Sequence, residues 1–315
     1  MNDVYLKQKI MHKVLLSLVP ILLGSVYLFG LRTLALLAVV CITGCLVEYG
    51  AMRLINGSKA KVSEAALVSC FLFTLTLPPA TPYWVAVLGI AFGLFFGKGV
   101  FGGFGKNIFN PALVGRCFVY ISFPSYLTVR WTEPFSSFPG GLIRYDGGVD
   151  AIASATPMIL AKSDAWSGGY LPLLFGNIAG SLGETSAILI LLAAIYLIAT
   201  KTASWKIITA TAGSFLTLNA ILYFSGVIAP DPLFSLMSGG FLFAVVFMAT
   251  DPVSAPVLDQ AKIAYGILIG LVAVIIRQYS LFTEGIMFAI LIANAFGPLL
   301  ERQIRQWTQR KKVAA

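Results

Sequence analysis

Apolar stretches of about 20 residues recur along the whole of this 315-residue chain. A hydrocarbon core of about 30 Å takes roughly that many residues of helix to cross. Lipid offers no partner to backbone N–H and C=O groups, so helices are the form such spans take. Ten spans are expected, at about 14–30, 33–54, 64–80, 83–100, 107–124, 174–199, 206–225, 232–250, 262–277 and 281–301. Only 11% of the residues are charged, against about 25% in soluble domains. The chain therefore reads as an all-α integral membrane protein. No cleavage site follows the first apolar run, which is read as a retained span.

The net charge of +9 does not point to nucleic acid, because the basic residues cluster at span ends. With the N-terminus inside, sixteen of the 22 Lys and Arg residues fall on the cytoplasmic side. That bias predicts cytoplasmic N- and C-termini. It also places the longest polar loop, 125–172, outside.

The chain repeats itself. Phe71-Leu-Phe73 leads to Pro82 as Phe241-Leu-Phe243 leads to Pro252. Gly89 and Gly93 match Gly266 and Gly270, and Asn110-Pro111 is matched more loosely by Asn294-Ala295. With five spans per half, the halves enter the membrane from opposite sides, the inverted-repeat plan of many transport proteins. The domains expected are a first five-helix repeat over 1–124, the loop 125–172, a second repeat over 173–301 and a basic tail over 302–315. The third span of each half ends in breakers, Thr76-Leu-Pro-Pro-Ala-Thr-Pro82 and Thr250-Asp-Pro-Val-Ser-Ala-Pro256. Proline disrupts the preceding turn, and paired interrupted helices point to a central site.

Ionisable residues inside a bilayer are costly and rare. Glu48, Glu184, Asp251 and Arg116 are therefore the ion-pathway candidates, the acids to bind a cation or relay a proton and Arg116 to neutralise one of them. The competing reading for each is a structural ion pair. Cys41, Cys45, Cys70 and Cys117 fall in apolar segments and read as small packing residues. With His12 the only histidine, no metal site is expected. Phe101-Gly-Gly-Phe-Gly-Lys-Asn107 lacks the spacing of a phosphate-binding loop and reads as a tight turn. In the long loop, Thr156-Pro157 makes a good helix start, with threonine as N-cap and proline first.

Four motifs in order carry a resemblance. They are Leu75-Thr-Leu-Pro-Pro79, Gly102-Gly-Phe-Gly-Lys-Asn-Ile-Phe-Asn-Pro-Ala112, Gly180-Ser-Leu-Gly-Glu-Thr185 and Met248-Ala-Thr-Asp-Pro-Val-Ser254. Together they resemble the family of D subunits of Rnf complexes. Its close relative is the B subunit of sodium-translocating NADH:quinone oxidoreductases. The resemblance runs from about 14 to 301, and the short N-terminus favours the Rnf side.

The five-plus-five inverted plan resembles that of urea and ammonium transport proteins. The family resemblance implies a subunit of a translocase in a bacterial cytoplasmic (inner) membrane that passes electrons between ferredoxin and NAD, coupled to movement of Na⁺ or H⁺. The partners it implies are iron–sulfur and flavin subunits and a flavin transferase. The family's attachment pattern is Asp-x-x-Ser/Thr-Gly-Ala-Thr. Asp150, Ala155 and Thr156 match it, while Ala153 stands for a hydroxyl and Ser154 for glycine. The implied cofactor is FMN, esterified through its phosphate to Thr156. A second, non-covalent flavin such as riboflavin belongs to the quinone-reductase relative, and no residue pattern here establishes it. A passive small-solute channel of the same architecture, or an assembly scaffold, is the competing reading. Either leaves the Asp150–Thr156 motif unexplained.

Overall fold

Residues 5–135, 137–145, 156–162, 165–228, 230–280 and 285–314 are described by a computed structural model of the chain. A two-residue strand β1 (Tyr5–Leu6) precedes α1 (Lys9–Phe29) and α2 (Arg32–Asn56). Strand β2 (Val62–Ser63) pairs in parallel with β1 and leads into α3 (Glu64–Leu75). Then come α4 (Tyr83–Leu94), which runs on as a π-helical turn over Phe95–Gly99, and α5 (Pro111–Ser122). Three short helices follow, α6 (Pro124–Thr128), α7 (Pro157–Lys162) and α8 (Leu171–Phe175). The second half holds α9 (Ala187–Ala199), α10 (Trp205–Phe224), α11 (Pro232–Met237) and α12 (Phe241–Phe243), which continues as a π turn over Ala244–Met248. It closes with α13 (Asp259–Tyr279) and α14 (Ile286–Ala314). Helices α1, α2, α10 and α13 are each long and apolar enough to span a membrane, and α3, α4, α5 and α9 are shorter apolar helices.

Every expected span holds helix, and several are shorter or broken. The third ends at Leu75 rather than residue 80, because Pro78 and Pro79 cannot continue it. The fifth starts at Pro111, not 107. Asn110 caps it, its side chain accepting from the N–H groups of Ala112 and Leu113. The sixth is helical only from Ala187. Residues 176–186 instead run against the end of α3, where Leu182 N–H donates to Leu77 and Gly183 N–H to Leu75. Glu184 is thus not in a helix. The eighth breaks after Met237, where Gly239 and Gly240 both take positive φ, a conformation open to glycine at little cost.

Close packing rests on small residues, as helix association in lipid generally does. A Cβ on Gly93 would lie 2.4 Å from the Pro111 carbonyl, so α4 and α5 touch backbone to backbone. A Cβ on Gly270 would lie 2.5 Å from the Thr211 carbonyl, bringing α13 equally close to α10. The two glycine pairs matched by sequence therefore serve the same purpose against non-equivalent neighbours. The halves meet along α1 with α9 and α5 with α14. At the second contact Asn110 N–H donates to Asn294 Oδ1 at 3.3 Å, and Asn294 Nδ2 donates to Tyr265 at 2.7 Å.

Contacts between turns sort the ends of the helices into two faces. On one, Gln8 N–H donates to Glu64, Lys13 to the Thr200 carbonyl and Val257 N–H to Glu301. That face carries both ends of the described chain. On the other, Leu31 N–H donates to Arg144 and Lys162 to the Arg277 carbonyl. Two buried arginines tie down the interruptions there. Arg32 donates to the carbonyls of Pro79 and Thr81. Arg277 donates to those of Ser235, Ser238 and Gly239 at 2.6, 3.1 and 2.9 Å.

Candidate functional site

Thr156 lies on the face opposite the termini. Its carbonyl accepts from Leu160 N–H at 3.0 Å, so it occupies the capping position of α7 as the Thr-Pro pair predicts. Met158 and Ala161 seat α7 on Leu173, Ile178 and Phe234. At its far end Lys162 donates to the Arg277 carbonyl at 2.5 Å. Burial, with the charge of Arg277 nearby, lowers the pKa of that lysine.

This seating brings Thr156 to the rim of a cleft lined also by Trp131, Ser181, Glu184, Thr185 and Gly240. The cleft holds about 30 Å³, room for a water or two, or a small ion. Glu184 Oε1 accepts from Arg116 Nη1 at 2.7 Å, and both side chains are less than a tenth exposed. A Cβ on Gly240 would come within 2.6 Å of the Glu184 carboxyl carbon, so only glycine lets the broken helix approach the acid this closely. Two of the sequence candidates, Arg116 and Glu184, thus meet beside Thr156. Asp150, Ser154 and Ala155 lie outside the described residues.

Asp251 belongs to a second cavity, of about 40 Å³, on the termini side. It is lined by Lys98, Asn107, Asn110, Thr250 and Asp251, with Val246 and Phe247 of the π turn. Asp251 accepts from the N–H of Val253 and the hydroxyl of Ser254. Segment 239–251 therefore lines both spaces. Six residues of helix separate Gly240 in the outer cleft from Val246 in the inner cavity, about 9 Å of rise.

Glu48 lines neither space, but its partner Lys98 lines the second. It pairs with Lys98 at 2.6 Å, each 3% exposed, and Ser63 bridges the two. Its Oε2 has no hydrogen-bond partner among the described residues. Lys98, counted by sequence among the face lysines, is buried because the π turn at 95–99 turns it inward. Such turns concentrate at functional sites. Sequence reasoning missed Lys98 and Ser63, and it missed the bracing by Arg32 and Arg277. The only local signals are a lysine flanked by glycines and arginines at span ends, both ordinary.

A family model described as NQR2, RnfD, RnfE matches residues 2–310. The chain belongs to the NQR2, RnfD, RnfE family. One similar member is the B subunit of the Na(+)-translocating NADH-quinone reductase of Pseudomonas aeruginosa (strain LESB58). It is 39% identical over 267 residues, 81% of this chain and 63% of the relative. The corresponding B subunit of Azotobacter vinelandii (strain DJ / ATCC BAA-1303) is 37% identical over 271 residues with the same coverage. The D subunit of the ion-translocating oxidoreductase complex of Stutzerimonas stutzeri is 34% identical over 323 residues, 94% of this chain and 90% of the relative. The chain thus spans about 63% of the length of the two quinone-reductase relatives. Family membership and the apolar helices together make it a multi-pass membrane protein.

Proposed function

We propose that this member of the NQR2, RnfD, RnfE family is a membrane subunit of an ion-translocating oxidoreductase complex. In this reading it carries FMN on Thr156, relays electrons through it and helps couple NADH or ferredoxin oxidation to movement of Na⁺ or H⁺. The observation that carries the reading is Thr156 itself, a partly exposed hydroxyl residue at the rim of a cleft lined by Glu184, the partner of Arg116. The rim suits the ester linkage, while the cleft of about 30 Å³ is too small for the flavin ring. The acceptor is reachable, its helix is pinned at both ends, and Ser181 and Thr185 line the cleft wall beside it.

When bound, FMN supplies electron transfer, while the chain supplies position and electrostatics. Thr156 would hold the phosphate as an ester. Arg116 orients the Glu184 carboxylate through its hydrogen bond. The seating of α7 on Leu173, Ile178 and Phe234 keeps the acceptor at the cleft. Asp251 and Glu184 stand near opposite ends of segment 239–251. A cation or proton bound at one would have to pass along this broken helix to reach the other. Glu48, held by Lys98, belongs to the same route only if that pair opens.

The contact of Asn110 with Asn294 supports the inverted repeat, as do the matching contacts of α2 with α4 and α10 with α13. The bias of sixteen basic residues supports a cytoplasmic assignment for the termini face. Redox subunits and the flavin transferase would be the partners.

The test is to express the chain with its transferase and view a denaturing gel under ultraviolet light, beside Thr156→Ala. A fluorescent band in the native lane alone is the expected result. No band in either lane, with the transferase active on another substrate, would overturn the assignment.

A further inference from the structure

On the termini face a groove of about 410 Å³ opens between the α9–α10 turn, the start of α13 and the segment after Thr250. Lys201, Lys206 and Lys262 line it, and Asp259 is the acid among its lining residues. Counting these four side chains, the groove carries three positive charges and one negative, a net of +2. Asp259 accepts from Lys206 at 2.5 Å and lies 3.9 Å from Lys262. It is 64% exposed, whereas both lysines are about three-quarters buried. The cations are thus held in the groove and the acid leans out of it. Lys201 takes a positive φ of 56°, an unusual backbone state for a side-chain-bearing residue. Glu301, an acid of α14, accepts from Val257 N–H and pairs with Arg305.

The walls suit the edge of a bilayer. Trp205 is 56% exposed and Val257 72% exposed. Trp205 also packs beside Lys206, whose ammonium lies 5.9 Å from its ring. Tryptophan is enriched where lipid meets water. Helices α10 and α13 both begin at this groove, and neither start is capped by a side chain. Their positive dipole ends add to the lysine field.

We infer that the Lys201–Lys206–Lys262 groove binds a phosphate group at the bilayer surface. Basic pockets between membrane helices commonly receive anionic headgroups, and either a phospholipid headgroup or free phosphate presents this chemistry. Asp259 then acts as a competitor that holds two of the three lysines until the anion arrives. This role has a signed consequence: removing Asp259 raises the net charge of these side chains from +2 to +3, frees Lys206 and strengthens anion binding.

The experiment uses the full chain in lipid nanodiscs of phosphatidylcholine doped with phosphatidylglycerol. Lipid retained after detergent extraction is measured by native mass spectrometry, and inorganic phosphate is titrated separately. Phosphatidylglycerol is expected to be retained over phosphatidylcholine. Its affinity should fall roughly fivefold for each lysine changed to Gln and rise severalfold in Asp259→Asn. Inorganic phosphate showing the same pattern across the variants, without lipid selectivity, would identify free phosphate as the source. Neither anion binding better than phosphatidylcholine, or Asp259→Asn binding no tighter than the native chain, would overturn the inference. The Asp259→Asn arm remains decisive if the triple lysine variant fails to fold.

Discussion

Arg116 and Glu184 are 68 positions apart in sequence and share a buried hydrogen bond. Each was legible alone as an ionisable residue in or beside an apolar run. Their meeting was not, because the segment bearing Glu184 reads as helix and instead runs along the end of α3. Breaking a buried pair strands a charge in low dielectric, which costs roughly 3–5 kcal/mol, whereas removing both partners costs much less. Arg116→Gln should therefore lower the detergent melting temperature sharply by stranding the Glu184 carboxylate, and adding Glu184→Gln should recover most of that loss. A double variant as unstable as the sum of the singles would mean that the two residues act independently. The same logic explains Gly240, where a side chain would collide with the Glu184 carboxylate.

Among the elements, helix contacts are set by which glycines face a neighbour. Gly93 and Gly270 face backbone, and Gly50 of α2 faces open space, with nothing within 4 Å of an added Cβ. Gly93→Leu and Gly270→Leu should force α4 from α5 and α13 from α10, seen as loss of a single size-exclusion peak. Gly50→Ala should raise the melting temperature slightly, because glycine inside a helix costs roughly 0.5–1 kcal/mol relative to alanine. A neutral Gly270→Leu would contradict the α10–α13 contact. Sequence placed these glycine pairs correctly, since spacing along one helix is local. It could not name their partners, and it missed the breaks at 176–186 and 238–240. Gly239–Gly240 is a common dipeptide whose positive φ values become visible only once Arg277 is seen holding the carbonyls around them.

At the scale of the whole molecule, both ends of the described chain share one face and the Thr156 cleft opens on the other. Single cysteines placed at Thr308 and Gly169, both exposed, in a background with the four native cysteines replaced, should react with an impermeant maleimide from opposite sides. With cytoplasmic termini, the Gly169 position labels in intact cells and the Thr308 position only after permeabilisation. Labelling of both from the same side would refute the two-face arrangement. The apolar helices and the proline breakers that end them were readable from the sequence. Each depends on the local balance of apolar residues against backbone groups that lipid cannot satisfy. Only the tertiary structure decided that Glu184 rests against Arg116 and Gly240, that Lys98 turns inward to Glu48, and that one broken helix lines two separate cavities. Those contacts join residues distant in sequence, and their energies come from desolvation and close approach, which exist only once the helices are packed.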